Sequence, residues 1–214
     1  MNLGQGIVIG LCVILALWFA VGYIYNWRKT NTLSQALKTA LEQQGKLSAY
    51  RRLGVSGAQF ILENAKAPFR QIELVFLLEP RENLPLWLLR RIQGRQDELL
   101  FRANLRTAPA QEFQIGLGSD QKFEQSILSE DQKPYELLPN SGPLKIAVRG
   151  HADEAAVSAR WQGFLDRFGK DLLRLSLQHK EPHLNVKARL SALHSATFEE
   201  FIMAVQKVIW QEEK

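Results

Sequence analysis

The histidines and a few glycine-rich turns are the first places where this chain of 214 residues offers chemistry. His179, His183 and His194, with Glu181 between the first two, supply the imidazole and carboxylate donors that suit zinc. Their spacing argues against a site. Pro182 denies His179 and His183 the shared helical face that an i, i+4 ligand pair uses, and HKEPH reads more simply as a hairpin turn. His151 and Asp153 form an H-x-D pair, but near a helix start Asp153 is better placed as a cap or dipole partner than as a catalytic carboxylate. Gly116-Leu117-Gly118-Ser119-Asp120 follows a strand, yet lacks the Lys-Ser/Thr of a phosphate loop and the full dinucleotide glycine spacing. Gly54-Val55-Ser56-Gly57 misses the nucleophile-elbow pattern by one residue. These patterns assign no catalytic, cofactor-binding or metal-ligating residue.

One segment stands out by composition instead. Leu84-Pro-Leu-Trp-Leu-Leu-Arg-Arg91 has Asn83 as an N-cap, Pro85 in the first turn and Gly94 as a C-terminal stop. It is too apolar all round for an ordinary surface helix and too short to span a bilayer. Trp87 with Arg90 and Arg91 has the make-up of a membrane or partner contact, and core packing is the third destination open to it.

The element that positions everything else lies at the N-terminus. Ile7 to Tyr25 is a run of nineteen residues without a charge, which as a helix covers about 28 Å, close to the roughly 30 Å of a hydrocarbon layer. Eleven of them are Ile, Val, Leu or Phe, which favours insertion by about 3 to 7 kcal/mol. A cleaved signal peptide fits less well, since MNLGQG has no basic side chain and the run ends in aromatic residues rather than a small-x-small site. Tyr23, Tyr25 and Trp27, followed by Arg28 and Lys29, mark a membrane interface. All the Lys and Arg near the run lies on its C-terminal side, so the expectation is a single pass through the cell membrane, N-terminus outside, with the C-terminal body in the cytoplasm. Gly6 and Gly10 form a G-x-x-x-G pair that allows helix association and a homo-oligomer. Cys12 is the only cysteine, so an intrachain disulfide and a Cys-rich zinc site are both excluded.

The same flank accounts for the charge. The sequence pI is about 9.4. Arg28, Lys29, Lys38, Lys46, Arg51 and Arg52, set against the single acid Glu42, carry the whole net charge of +5. The remaining chain balances its bases against its acids, and no nucleic-acid partner is expected.

Along the body the pattern predicts an α+β fold. Five stretches follow one another: the anchor and its basic flank at 1–30, a juxtamembrane amphipathic helix and linker at 31–54, a β-rich subdomain at 55–118, a linker or excursion at 119–142, and a β-α-β-β-α subdomain at 143–214. In the second stretch Thr32 to Gln35 reads as a capping box after a short polar break. Leu33, Leu37, Ala40 and Leu41 then share a stripe that either lies on an anionic leaflet beside Lys38 and Lys46 or packs on the body. In the third, AQFILEN and RQIELVFLL make one hairpin about Pro68, and DELLFRANLR with AQEFQIG a second about Thr107 to Pro109, giving a four-stranded antiparallel sheet. In the last, Thr197 and Glu200 form a capping box before a stripe of Phe198, Phe201, Ile202, Val205, Val208 and Ile209. Two helices are expected to cover one face of a mostly antiparallel sheet.

These features favour a non-catalytic module, held at the cytoplasmic face for binding or assembly, with the lipid bilayer and a protein or second copy as partners. A membrane-tethered enzyme whose polar residues meet only in space, and a sensor of anionic lipid, are the alternatives.

Overall fold

A computed structural model of the chain describes residues 2–117, 135–137, 144–149, 154–190 and 195–210. The first element, α1 (Leu3–Glu42), is one unbroken helix of 40 residues, about 60 Å long. The polar break expected before Thr32 does not interrupt it. Thr32 Oγ1 donates to the Arg28 carbonyl one turn back at 3.2 Å, so the residue read as a cap is inside the helix. Nothing at this point removes a backbone donor or demands a positive φ, and the side-chain signal alone is too weak to stop a helix already running.

Nine strands form a single sheet in the order β1-β2-β3-β4-β9-β8-β5-β7-β6, every described pair antiparallel. They are β1 (Leu47–Arg52), β2 (Gly57–Glu63), β3 (Phe69–Leu77), β4 (Glu98–Leu105), β5 (Glu112–Leu117), β6 (Tyr135–Leu137), β7 (Leu144–Arg149), β8 (Leu172–Leu177) and β9 (Leu184–Arg189). The fold is α+β, and β7, helix α3 (Glu154–Phe168), β8, β9 and helix α4 (Ser195–Trp210) make the expected β-α-β-β-α unit. The hairpin about Pro68 forms, with Phe60 opposite Leu74. The second hairpin does not: β4 lies between β3 and β9, and β5 between β8 and β7. The end of β4 is tied the other way. Arg106 donates its amide to the Pro68 carbonyl and its guanidinium to Ala65 and Phe69 carbonyls, while the Leu105 amide is bound by His183. Strand β1 occupies the stretch read from sequence as linker. Of the excursion at 119–142 only β6 is described, and His151, Asp153 and His194 lie outside the described residues.

Alternation places Phe60, Leu62, Ile72, Leu74, Phe76, Leu99, Phe101 and Val186 on one face of the sheet. That face is covered by α3, α4 and the second half of α1, whose Leu37, Ala40 and Leu41 join the same core. Burial there settles the two placements of the α1 stripe in favour of packing on the body. Phe201 is the hub, within 5.9 Å of Phe101 and 5.4 Å of Phe168 between ring centroids. Helix α4 begins at Ser195, so Thr197 falls inside it rather than at its cap. The opposite face of β2, β3, β4 and β9 is polar, with Gln59 paired to Glu73 at 2.7 Å and Lys187 to Glu98 at 2.9 Å.

Candidate functional site

The buried positions of α1 fall on one stripe: Gly22, Asn26, Thr30, Leu37, Ala40 and Leu41. The spacing is that of a single helix face, but the chemistry changes along it. Below Thr30 the stripe is apolar and enters the core. Above it the stripe is small and polar, and it meets the loop after β3 together with the residues that precede β2 and β4.

Three features fix this junction. A Cβ at Gly22 would overlap the Arg81 carbonyl and the Glu82 amide, so only glycine lets the loop approach the helix this closely. Asn26, wholly buried, donates to the Glu79 carbonyl and to Glu82 Oε2, both at 2.8 Å, and accepts from Arg81 Nη1 at 3.2 Å. Thr30 donates to the Val55 carbonyl at 2.8 Å. A backbone carbonyl and an amide side chain that lose water here regain hydrogen bonds, which is the condition for burying them without a large penalty.

Asp97 is the charged centre. Arg81 grips it with both terminal nitrogens at 3.0 Å, Lys29 reaches it from α1 at 2.8 Å, and the Glu79 amide donates to it at 2.7 Å. Burial alone would push this carboxyl up, but the hydrogen bonds from Arg81, Lys29 and Glu79 outweigh it and hold it below the ordinary carboxylate value. The Arg81 guanidinium also lies 5.1 Å from the centre of the Tyr25 ring. Helix, loop and sheet end are thus joined by one ionic cluster, to which the flank of the apolar run contributes Lys29.

The Trp87 segment sits against the same place. It is helix α2 (Leu84–Ile92), capped as expected by Asn83, whose side chain accepts from the Leu86 amide at 3.1 Å. Gly94, at a φ of 69°, ends it. None of its residues is buried, so it is not a core element. Trp87 turns inward, its ring 5.4 Å from that of Trp18 in α1, and Trp18 donates to the Arg81 carbonyl at 2.8 Å. Arg91, four residues on, points the same way, 3.9 Å from Glu79. Arg90 is half-buried. Of the interface residues read from sequence, Lys29 joins the cluster and Tyr25 flanks it, while Tyr23, Trp27 and Arg28 stay exposed. Gly6 and Gly10 lie on the part of α1 that the body does not reach.

The cluster members Asn26, Thr30, Glu79, Arg81 and Asp97 were not legible as a site. The available signal was the four-residue spacing of Gly22, Asn26 and Thr30, in line with Leu33, Leu37 and Leu41. His179 and His183 part company. His179 lies 3.0 Å from Glu112, whereas His183 Nδ1 accepts from the Leu105 amide and burial lowers its pKa. A cavity of about 610 Å³ is an open groove on the polar sheet face lined by Gln71, Glu73, Arg102 and Asn104 among others. Among the described residues, Asp97, Glu112 and His183 are the groups with shifted pKa, and none of them lines it. No protein-family model matches the chain, and no curated protein is similar to it.

Proposed function

We propose that this chain is a single-pass protein of the cell membrane whose cytoplasmic body is a non-catalytic binding or assembly module held at a fixed height and angle to the bilayer. The observation that carries the reading is the continuity of α1. The helix that is long and apolar enough to cross a membrane enters the core of the body without a flexible joint. The ionic cluster then prevents it from swivelling. A tether that only confines an enzyme to a surface needs no such rigidity, whereas a surface that must meet a partner at a set distance from the lipid does. That none of the described groups with shifted pKa lines the open groove supports the same reading over a tethered enzyme.

The orientation rests on Arg28 and Lys29 beside the Tyr23, Tyr25 and Trp27 belt. The partners are then the bilayer and a second copy or another protein, with Gly6 and Gly10 as the contact between neighbouring spans. Two measurements test this. A reporter fused after Lys214 is expected to be active only when cytoplasmic, and an export-dependent signal overturns the orientation. Crosslinking of the full chain in native membranes is expected to trap an oligomer or a stable partner, and a monomer alone counts against the module.

A further inference from the structure

Helix α2 carries its apolar residues on the wrong side for a protein in water. Trp87 and Arg91 face α1 and the cluster, while Leu88, Leu89 and Ile92 face outward, Leu89 being 53% and Ile92 83% exposed. Leu86 and Pro85 are exposed beside them. On α1, whose Trp18 meets Trp87, the apolar side chains Phe19, Val21 and Ile24 are also open.

Length decides what covers it. The part of α1 that runs clear of the body, Leu3 to Leu17, is only about 22 Å long as a helix, short of the roughly 30 Å that a bilayer core requires. From Trp18 onward one side of α1 is already taken by Trp87 and the Arg81 loop. The span reaches full thickness only if lipid also surrounds the stretch from Trp18 to Tyr25, and that stretch has α2 beside it. We propose that α2 lies in the cytoplasmic leaflet, its Leu88, Leu89 and Ile92 face in the boundary between headgroups and acyl chains. The body is then seated on the membrane by two elements, one crossing and one lying flat. Arg90 and Arg95, near the C-terminal end of α2, have stems long enough to reach lipid phosphates from that depth.

This rests on α1 crossing the membrane, and the experiment separates the two statements. The full chain carrying Cys12→Ser is placed in phosphatidylcholine–phosphatidylglycerol nanodiscs with one nitroxide label at a time, at Leu17→Cys, Leu89→Cys, Ile92→Cys or Lys180→Cys. Lys180 is exposed at the β8–β9 turn, the end of the sheet away from Asp97. Collision with oxygen, enriched in lipid, is compared with collision with a water-soluble nickel chelate. The expected result is an oxygen-to-nickel ratio at positions 89 and 92 severalfold above that at 180 and below that at 17. A lipid-like ratio at 17 with a water-like ratio at 92 overturns the seating of α2 while leaving the span intact. Low collision with both reagents at 92 also overturns it, since protein then covers the face. A water-like ratio at 17 overturns both statements.

Discussion

The two ends of α1 share one helix and meet opposite surroundings. From Leu3 to Leu17 large apolar side chains stand exposed, whereas Leu37, Ala40 and Leu41 are sealed in the core, and both stretches are apolar enough to be buried anywhere. Helix propensity does not distinguish them. The difference lies in what faces them: the inner stretch shows a stripe that matches the sheet and α4, while the outer stretch is apolar on every side and fits no single protein face. Between the two, Gly22, Asn26 and Thr30 form a polar collar where the environment changes.

The contrast breaks most visibly by removing core volume. Leu41→Ala is expected to cost about 2 to 5 kcal/mol of body stability. Leu17→Ala, on the outer stretch, should leave it within about 0.5 kcal/mol. Thermal unfolding of both variants in detergent micelles checks this, and equal losses would show that the outer stretch is also part of the body's core.

The collar comes next. Asp97→Asn leaves Arg81 and Lys29 facing a neutral group, and since Lys29 is about a third exposed the expected loss is about 2 to 4 kcal/mol at neutral pH. The pH dependence has a definite sign. The folded carboxyl titrates below its ordinary value of 3.8, so the unfolded chain binds the proton first as pH falls. The stabilisation is whole above that value and shrinks as pH drops through the lower folded one. Wild type and variant should therefore differ by a constant amount from pH 7 to pH 5 and converge below about pH 4. A gap unchanged at pH 3 would take Asp97 out of the cluster.

The smallest effect is the most diagnostic, because its sign differs between the two ends. Gly22→Ala drives a Cβ into the Arg81 backbone and should cost about 1 to 3 kcal/mol. Gly4→Ala, outside the Gly6 and Gly10 pair, meets nothing within 4 Å and should be neutral or stabilise by less than about 1 kcal/mol, as alanine does in a helix. The same melting experiment in micelles reads both.

Much of the local structure was legible because it depends on near neighbours. Period-two alternation at Leu99, Phe101, Ala103 and Leu105, the Asn83 cap and the α4 stripe each describe an element that needs only to know which of its faces is apolar. The pairing of β4 was not, because alternation tells a strand which face to bury but not which strand to lie beside. The two-hairpin reading chose the nearest strand in sequence, and the His183 and Arg106 contacts chose β9 and β3.

The sequence by itself determined that one uncharged run suits lipid, that the basic excess sits on its flank, and that the rest alternates into an antiparallel sheet with amphipathic helices. These follow from composition and period, which act residue by residue. Only the tertiary structure decided that α1 does not stop at the polar residues after Lys29, that Lys29 and Asp97 meet across 68 positions of chain, and that α2 presents Leu89 and Ile92 rather than Trp87. Those outcomes depend on which surfaces come into register in space, and a hydrogen bond or an ion pair between distant residues leaves no periodic mark on either.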